Sequence, residues 1–473
     1  MSEAKYPVKR GGEYDFDIDK LAFGGAGIAR VDNYVVFIKD TLPGDKVKAR
    51  ITRRKPSFAE ARLLEIIKPS PMRQHPPCKY HQWCGGCTWQ NLSYENQVKI
   101  KRQLVEESIQ HIAGIQKSTV CPVIESDSAF AYRNKMEFSF TDKRWLLPEE
   151  LGKADIKPGF ALGLHVPGTF DKIIKIDHCL LQSDTANRIL RSVSDFCMGK
   201  KLQAYGLKTH QGLLRFLVIR QSRYNGKIMV NIVTAYEEEN ILKQLALKLT
   251  EEFPEVESVV NNINSRPAQI ARGEREIVLA GKSYIQEKLG DFIFNISANS
   301  FFQTNSAQAE KMYKKVLEFS ELSGKEFVWD LYCGTGTFSL FLAAQAKKIT
   351  GFDVEASAIQ DAAENARNHQ VFNAGFIEGD LLHTLASVKE KPDVIITDPP
   401  RAGMHEKVVR LILSASPRRL VYISCNPATL ARDLNILSEQ YAIDKVQPLD
   451  MFPQTYHIET IVQLTKRSVD FVR

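Results

Sequence analysis

Three side chains in the C-terminal third of the chain combine a reactive type with a suggestive setting. Cys425 lies in RRLVYISCNPATL (418–430), just past an apolar strand and against a helix-initiating Asn-Pro. A cysteine is ordinarily a small buried hydrophobe. A helix N-terminus, however, helps to stabilise a thiolate, which is the nucleophilic form. Asp398 ends a second apolar strand in PDVIITDPPRAG (392–403). Glu459 interrupts the strand-like run YHIETIVQL (456–464) and is a carboxylate that could take up a proton. In an open parallel sheet the strand ends lie on one rim, where ligands bind. Asp398 and Cys425 are therefore expected to meet the turn Gly334-Thr335-Gly336 of VWDLYCGTGTFSLFLA (328–343) in one crevice. Cys333, inside that turn, is assigned no chemistry.

The turn follows an apolar strand and precedes a helix. Glycines let the backbone approach a ligand closely, and a helix N-terminus favours negative charge. Asp353 ends the next strand, 17 residues after Gly336, where an acid accepts hydrogen bonds from ribose hydroxyls. Phe338 and Ser339 follow Thr337, so this is not the GxGxxG of dinucleotide folds. It resembles the first two motifs of S-adenosylmethionine-dependent methyltransferases. A thiolate has a clear use in one such reaction. C5 of a pyrimidine is not nucleophilic, and addition of a thiolate to C6 makes an enolate that can attack a methylsulfonium. The adduct must then lose its C5 proton to a base before the thiol can leave.

A second cluster stands in HPPCKYHQWCGGCTWQ (75–90), which reads Cys78-x5-Cys84-x2-Cys87. Three thiolates in so short a loop can share one metal, and Gly85-Gly86 permits a tight wrap. Cys179, in KIDHCLLQ (175–182), is the best fourth ligand on context. His75, His81 and His178 keep zinc open, so spacing leaves iron–sulfur, zinc and no metal as alternatives. An even count of 8 cysteines in a large chain is no disulfide argument. Cys121 and Cys197 read as ordinary core residues.

These residues need elements to position them. A chain of 473 residues implies roughly two to four domains. Its 44% hydrophobic and 25% charged residues exclude a mainly disordered chain, a collagen-like fibre and a disulfide-dense miniprotein. Lys plus Arg is 63 against 56 for Asp plus Glu, a formal +7 that permits a polyanionic partner. No apolar run approaches the ~20 residues that span a bilayer. MSEAKYPVKRGGEYDFD lacks the apolar core of a signal peptide, so a soluble, cytoplasmic protein is expected.

Residues 1–67 read as a small β module. YVVFI (34–38), KVKARI (46–51) and ARLLEII (61–67) are separated by GGAG (24–27), LPGD (42–45) and KPS (55–57), which suits a five-stranded barrel of the oligonucleotide-binding type. KVKARITRRK (46–55) holds six basic residues and no acidic one. It is either a phosphate-contacting stripe or a strand edge guarded by lysines. IKPSPMRQHPP (67–77) reads as a linker, and 91–118 carries a helical pattern. From 119 to 290, β-type runs (MEFSF, 136–140; RFLVIRQS, 215–222; KIMVNIVT, 227–234) alternate with one strong helix, ENILKQLALKLTEEF (239–253), giving an α+β region. In 291–473, apolar strands alternate with helical segments at 337–347, 355–369, 405–415 and 427–440, which predicts a parallel sheet with helices on both faces. The expected domains are thus 1–67, 68–290 and 291–473. There is no internal repeat.

DPPRAG (398–403), SCNPATL (424–430) and HIETI (457–461), with SANSFFQTN (297–305) upstream, resemble the RNA uracil-5-methyltransferase family over nearly the whole chain. The resemblance implies Cys425 as nucleophile, Glu459 as general base, and Asp398 between methyl donor and uracil. It places Gln303, Tyr332, Gly334, Gly336, Thr337, Asp353 and Asp380 at donor-binding positions. The family often has Asn where this chain has Thr337 and Glu where it has Asp353, and both replacements can still hydrogen-bond. Phe301 is placed to stack on a base or to fill the core. YRNKMEF (132–138) resembles the start of the family's central domain, which makes Arg133 and Lys135 RNA contacts or solvated charges.

One branch, the 23S ribosomal RNA enzymes, has an N-terminal TRAM domain and a [4Fe–4S] cluster on this cysteine pattern. Resemblance to that branch implies cluster ligation by Cys78, Cys84, Cys87 and Cys179. The implied architecture is a TRAM barrel, a central α+β domain with the cluster, and a C-terminal Rossmann-like methyltransferase domain. The implied cofactors are S-adenosylmethionine and the cluster. The implied partner is 23S ribosomal RNA, with the target uridine extruded from its stack, and no membrane or obligatory protein partner. Three rivals remain: a tRNA T-loop uridine as target, methylation of an exocyclic amine, and a non-catalytic RNA-binding iron–sulfur protein. The amine sites use Asn/Asp-Pro-Pro-aromatic, whereas Arg401 follows the prolines here.

Overall fold

Alternation of buried and exposed residues along Tyr34–Ile38 and Lys46–Arg54 marks strands with one face on a core. The computed structural model of the chain describes residues 6–116, 119–153 and 156–467. It divides into two units: Met1–His75, Thr88–Asp127 and Gln308–Arg473 form the first, and Pro76–Cys87 with Ser128–Ala307 the second.

The first unit opens with a sheet of six strands in the order Glu13–Asp17, Lys46–Arg54, Phe58–Lys68, Tyr34–Ile38, Gly27–Val31, Lys20–Leu21. The strand beyond the five expected is Lys20–Leu21, two residues paired to Gly27–Val31 across the glycine turn. Phe16, Val36, Ile38, Val47, Ala49 and Ile51 share one core. The basic strand is partly neutralised: Arg50 pairs with Glu13 at 2.6 Å, Arg53 with Glu60 at 3.3 Å, and Arg54 lies over the Tyr6 ring. The run 67–77 is not all linker, because Ile67 and Lys68 finish the strand Phe58–Lys68.

The helix Tyr94–His111 belongs to this unit and is capped by Ser93, whose side chain accepts from the Asn96 N–H. Ile100 and Leu104 pack with Leu21, Leu42, Trp89 and Leu92.

The remainder of the unit is a seven-stranded sheet in the order Ala374–Glu378, Lys348–Asp353, Phe327–Leu331, Val394–Thr397, Arg419–Ser424, Glu459–Lys466, Tyr441–Leu449. The first five strands are parallel, as alternation with helices requires. One strand departs from the all-parallel expectation: Glu459–Lys466 is antiparallel to both of its neighbours, and Tyr441–Leu449 runs with the first five. Tyr441–Leu449 and Glu459–Lys466 are joined by the short stretch 450–458 without a crossover helix, and such a connection can only reverse the chain.

The second unit holds another seven-stranded sheet, ordered Arg275–Gly281, Val256–Ile263, Ile228–Thr234, Leu214–Gln221, Lys135–Thr141, Ala161–His165, Ile173–Lys175. The helices Asp184–Gly199 and Glu239–Glu252 bury Ile189, Leu190, Val193, Leu242, Leu245 and Leu249 in its core. Cys197 lies in that core, whereas Cys121, in the first unit, is only half-buried. Among the described residues no helix is long and apolar enough to cross a membrane.

Candidate active site

Two strand registers bring the three reactive side chains of the first unit together. Leu331 lies level with Thr397, so Asp398 follows at the rim, its N–H donating to the Leu331 carbonyl. Ser424 pairs with Thr460 in the antiparallel direction. Carrying that register one step further sets Cys425 beside Glu459, at the end of one strand and the start of the next. All three residues are half-buried.

Their ionisation reflects the proximity. Burial, then the negative charges of Glu459 and Asp398, push the Cys425 thiol up to about 11, and Arg401 pulls the other way. Burial, then Asp398, lifts Glu459 to about 8, again opposed by Arg401. Burial, then the nearby Asp330, lifts Asp398 to about 7. Carboxyl groups held near neutrality can both take and give protons at working pH. A thiol raised in this way reacts as a nucleophile only once it has lost its proton.

The loops carrying these groups are tied together. The Asn426 side chain caps Pro427–Leu437 by accepting from Ala428 N–H at 3.1 Å, and its amide donates to the Arg401 carbonyl at 3.2 Å. Buried Asp433 accepts from the Tyr422 hydroxyl at 2.7 Å and from Met404 N–H at 2.9 Å. Gly403 has φ +74°, and a Cβ there would stand 2.7 Å from Arg432 Nη2 and 2.9 Å from Asp433 Oδ2. Only glycine fits both the backbone conformation and the space.

The glycine turn lies on the same rim. Gly334 and Gly336 have positive φ, and so does Tyr332, at +62°, which is unusual for a non-glycine residue. A Cβ on Gly334 would project into open space, leaving its backbone reachable by a ligand. Asp353 accepts from Gly334 N–H and from Glu355 N–H, both at 2.9 Å. A carboxylate has further lone pairs for ribose hydroxyls. Asp380 is exposed, caps Leu381–Ser387, and lies close enough to Tyr332 to raise its phenol further, after burial and Asp433. The helix Thr337–Ala343 is only seven residues long, so close backbone approach, rather than a helix dipole, is what this turn offers a ligand. Thr337 is buried and turned inward, its hydroxyl shared with Thr335 and the Tyr313 phenol.

Gln303 belongs to the second unit. It is half-buried, and its carbonyl accepts from Asn134 Nδ2 at 2.9 Å. In the same unit the Phe301 side chain is 73% exposed, not in the core. Lys135 pairs with Glu137 at 2.6 Å, and Arg133 is half-buried.

Asp330, Tyr313 and Asp433 are parts of the site region that sequence reading did not single out, and Arg401 was noted only as the residue that follows the two prolines. Asp330 is fully enclosed, accepts from the Ser339 hydroxyl at 2.7 Å, and is lifted to about 7 mainly by burial. Its signal was an acid inside the apolar run VWDLY, where a charge has no reason to sit unless it is used.

In the second unit the sulfurs of Cys78, Cys84 and Cys179 stand within electrostatic range of one another. Backbone N–H groups point at each: Gly86 at Cys84, Tyr80 and His81 at Cys78, Leu181 and Gln182 at Cys179. Burial pushes Cys84 up to about 12. Among the described residues, however, no three His, Cys, Asp or Glu close into a metal-holding group. Donor chemistry and approximate convergence suit a cluster, but the expected four-ligand arrangement is not formed. Cys87 is half-buried in the same loop.

A mostly parallel sheet with one antiparallel strand carries on its rim a thiol beside two carboxyl groups, the groups a nucleophile and a base would need. Comparison with known proteins names the kind of enzyme. The family described as tRNA (Uracil-5-)-methyltransferase matches residues 170–380 and 382–467, and the TRAM domain matches 7–64. An uncharacterized RNA methyltransferase of Chlorobaculum tepidum is 42% identical over 428 residues, 89% of each chain. Another, of Bacteroides thetaiotaomicron, is 41% identical over 94% of this chain and 100% of its own. The crystal structure of Pyrococcus abyssi tRNA (uracil-54, C5)-methyltransferase with S-adenosyl-L-homocysteine is similar at TM-score 0.74 and 29% identity, covering 96% of this chain and 100% of that one. The chain belongs to the tRNA (Uracil-5-)-methyltransferase family and is an enzyme of the RNA uracil-5-methyltransferase class.

Proposed function

We propose that the chain methylates C5 of a uridine in RNA, with 23S ribosomal RNA as the target, by transient attachment of Cys425 to C6 of the base. The observation that carries this reading is the pairing of Ser424 with Thr460, which delivers a thiol and a carboxyl side by side next to Asp398. Cys425 Sγ gives up its proton to solvent and bonds to C6, and the displaced π electrons pass toward O4. The positive charge of Arg401 favours the thiolate. C5, now electron-rich, would take the methyl group from the donor's sulfonium, the S–CH3 bonding pair staying on sulfur as a neutral thioether. Glu459 then removes the C5 proton, the C5–C6 double bond re-forms, and the C6–S bond breaks to release Cys425.

When bound, S-adenosylmethionine supplies the methyl group from a sulfonium centre. Gly334 and Gly336 would give it a bare backbone, Asp353 its ribose contacts, and Tyr332, Asp380, Asp398 and Gln303 the remaining hydrogen bonds. Thr337 contributes least, since its hydroxyl already has partners. We assign 1–67 to RNA grip by the TRAM barrel, 68–290 to a central RNA-holding domain except for Thr88–Asp127, which belong to the unit that carries the reactive groups, and 291–473 to catalysis except for 291–307, which belong to the second unit. Cys78, Cys84, Cys87 and Cys179 would hold a [4Fe–4S] cluster that braces the central domain; the convergence of three of the thiols supports this. No step of the reaction passes through it.

A tRNA T-loop uridine is the second reading, favoured by the Pyrococcus abyssi structure. Purified enzyme is given methyl-labelled donor with 23S ribosomal RNA or tRNA transcripts, and the modified nucleotide is mapped. 5-Methyluridine in the ribosomal transcript supports the first reading, and label confined to tRNA supports the second. Formation of 5-methyluridine by Cys425→Ala would overturn the mechanism.

A further inference from the structure

We infer that the helix Tyr94–His111 positions the proton-abstracting step: Gln97 and Lys101 lock the connection 450–458 so that Glu459 meets the C5 proton. The inference rests on the reading of Glu459 as base. Tyr94, Gln97 and Lys101 recur at i, i+3 and i+7, which puts them on one helix face.

Each touches the connection or its anchor. Lys101 is fully buried; its Nζ donates to Asp450 Oδ1 at 2.6 Å and to the Phe452 carbonyl at 3.1 Å. Gln97 is also fully buried; its Nε2 donates to Gln454 Oε1 at 3.0 Å, and its Oε1 accepts from Gln454 N–H at 2.9 Å. The Gln454 carbonyl accepts from Thr88 and Trp89 N–H at 2.9 and 3.0 Å. The Tyr94 hydroxyl accepts from Ser126 N–H at 2.8 Å and lies against Asp450. Gln454 itself is held at φ +67°, a conformation a non-glycine residue keeps only when its surroundings impose it.

This clamp makes poor sense as simple stabilisation. A buried ion pair seldom beats a well-packed apolar pair, because desolvation offsets the Coulomb attraction. What it supplies is one geometry. Leu449 pairs with Glu459, so the connection leaves and re-enters the sheet at the level of the base. Between those ends the helix grips positions 450, 452 and 454. Addition of Cys425 and methyl transfer do not need the base, whereas release of the adduct does. Loosening the grip should therefore slow the last step alone.

The test uses the full chain, methyl-labelled S-adenosylmethionine and the RNA transcript it modifies, and reads two rates: methyl transfer in a single turnover, and decay of the covalent protein–RNA adduct on a denaturing gel. Gln97→Ala should leave methyl transfer within a few-fold and slow adduct decay by about 10²-fold, the scale expected for a catalytic group displaced by an ångström. Lys101→Arg should retain most of the decay rate. If Gln97→Ala is insoluble, Lys101→Met combined with Asp450→Leu removes both charges together and carries the same expectation. Equal losses in both rates, or no change in decay, would overturn the inference. Glu459→Gln, run alongside, separates the two claims: if it fails to accumulate adduct, the reading of Glu459 itself is wrong; if it accumulates adduct while the helix variants do not, only the positioning role falls.

Discussion

The carboxyl of Asp330 stands within electrostatic reach of that of Asp398 and makes it harder to ionise. Burial is the larger cause in both, and both are lifted from 3.8 to about 7. An acid whose folded pKa is raised keeps a proton that the unfolded chain has released, so its stabilising effect is full below about pH 4 and is lost as pH rises through about 7. The midpoint of thermal unfolding should fall across that interval. Asp330→Asn, which keeps a partner for the Ser339 hydroxyl, should flatten the slope; identical slopes would exclude this acid pair as its source.

Glu459, lifted to about 8 by burial and then by Asp398, gains its basic form as pH rises through that value. Decay of the protein–RNA adduct should accelerate over the same range and level off above it. Asp398, Cys425 and Arg401 are the charged or titratable groups coupled to it, so the inflection should shift downward in Asp398→Asn. A wild-type decay rate independent of pH across this range would remove Glu459 as the base.

Gly403→Ala forces a side chain into the left-handed backbone region and against Arg432 and Asp433. A loss of about 1–3 kcal/mol is expected from the backbone conformation alone. Urea unfolding measures it; an unchanged midpoint would show that the loop relaxes freely.

Tyr422→Phe deletes the 2.7 Å hydrogen bond to Asp433 in a buried place. An acceptor carboxylate that loses such a bond costs about 1–3 kcal/mol. Because Asp433 also holds Met404, single-turnover methyl transfer should fall along with stability.

The strands that end in Asp398 and Cys425 were legible because apolar runs stop at polar residues where a parallel sheet meets its ligand. The direction of the last strand was not. Nothing in YHIETIVQL says which way it runs, and only the absence of a helix between 449 and 459 decides it. Thr337 was legible as part of the turn, but not its inward orientation, which depends on Tyr313 from the distant helix Ser306–Ser320. Gln97 and Lys101 fall within the helical pattern of 91–118 and nothing local marks them, because their partners lie about 350 residues away in sequence. Contacts at that separation leave no local pattern to read. The cysteine pattern was plain, yet spacing alone cannot fix where four sulfurs sit in space.

On the proposed mechanism, the register of Glu459–Lys466 also decides whether the covalent adduct can be resolved. Successive residues of a strand point to opposite faces, so a slip of one position would turn Glu459 away from Cys425 and leave a thiol with no proton acceptor beside it. On that mechanism a mis-registered copy would attach itself to RNA but lack the partner that lets it go, so correct pairing of Glu459–Lys466 with Arg419–Ser424, which sets side by side two residues 34 apart in the chain, would turn a cross-linker into a catalyst.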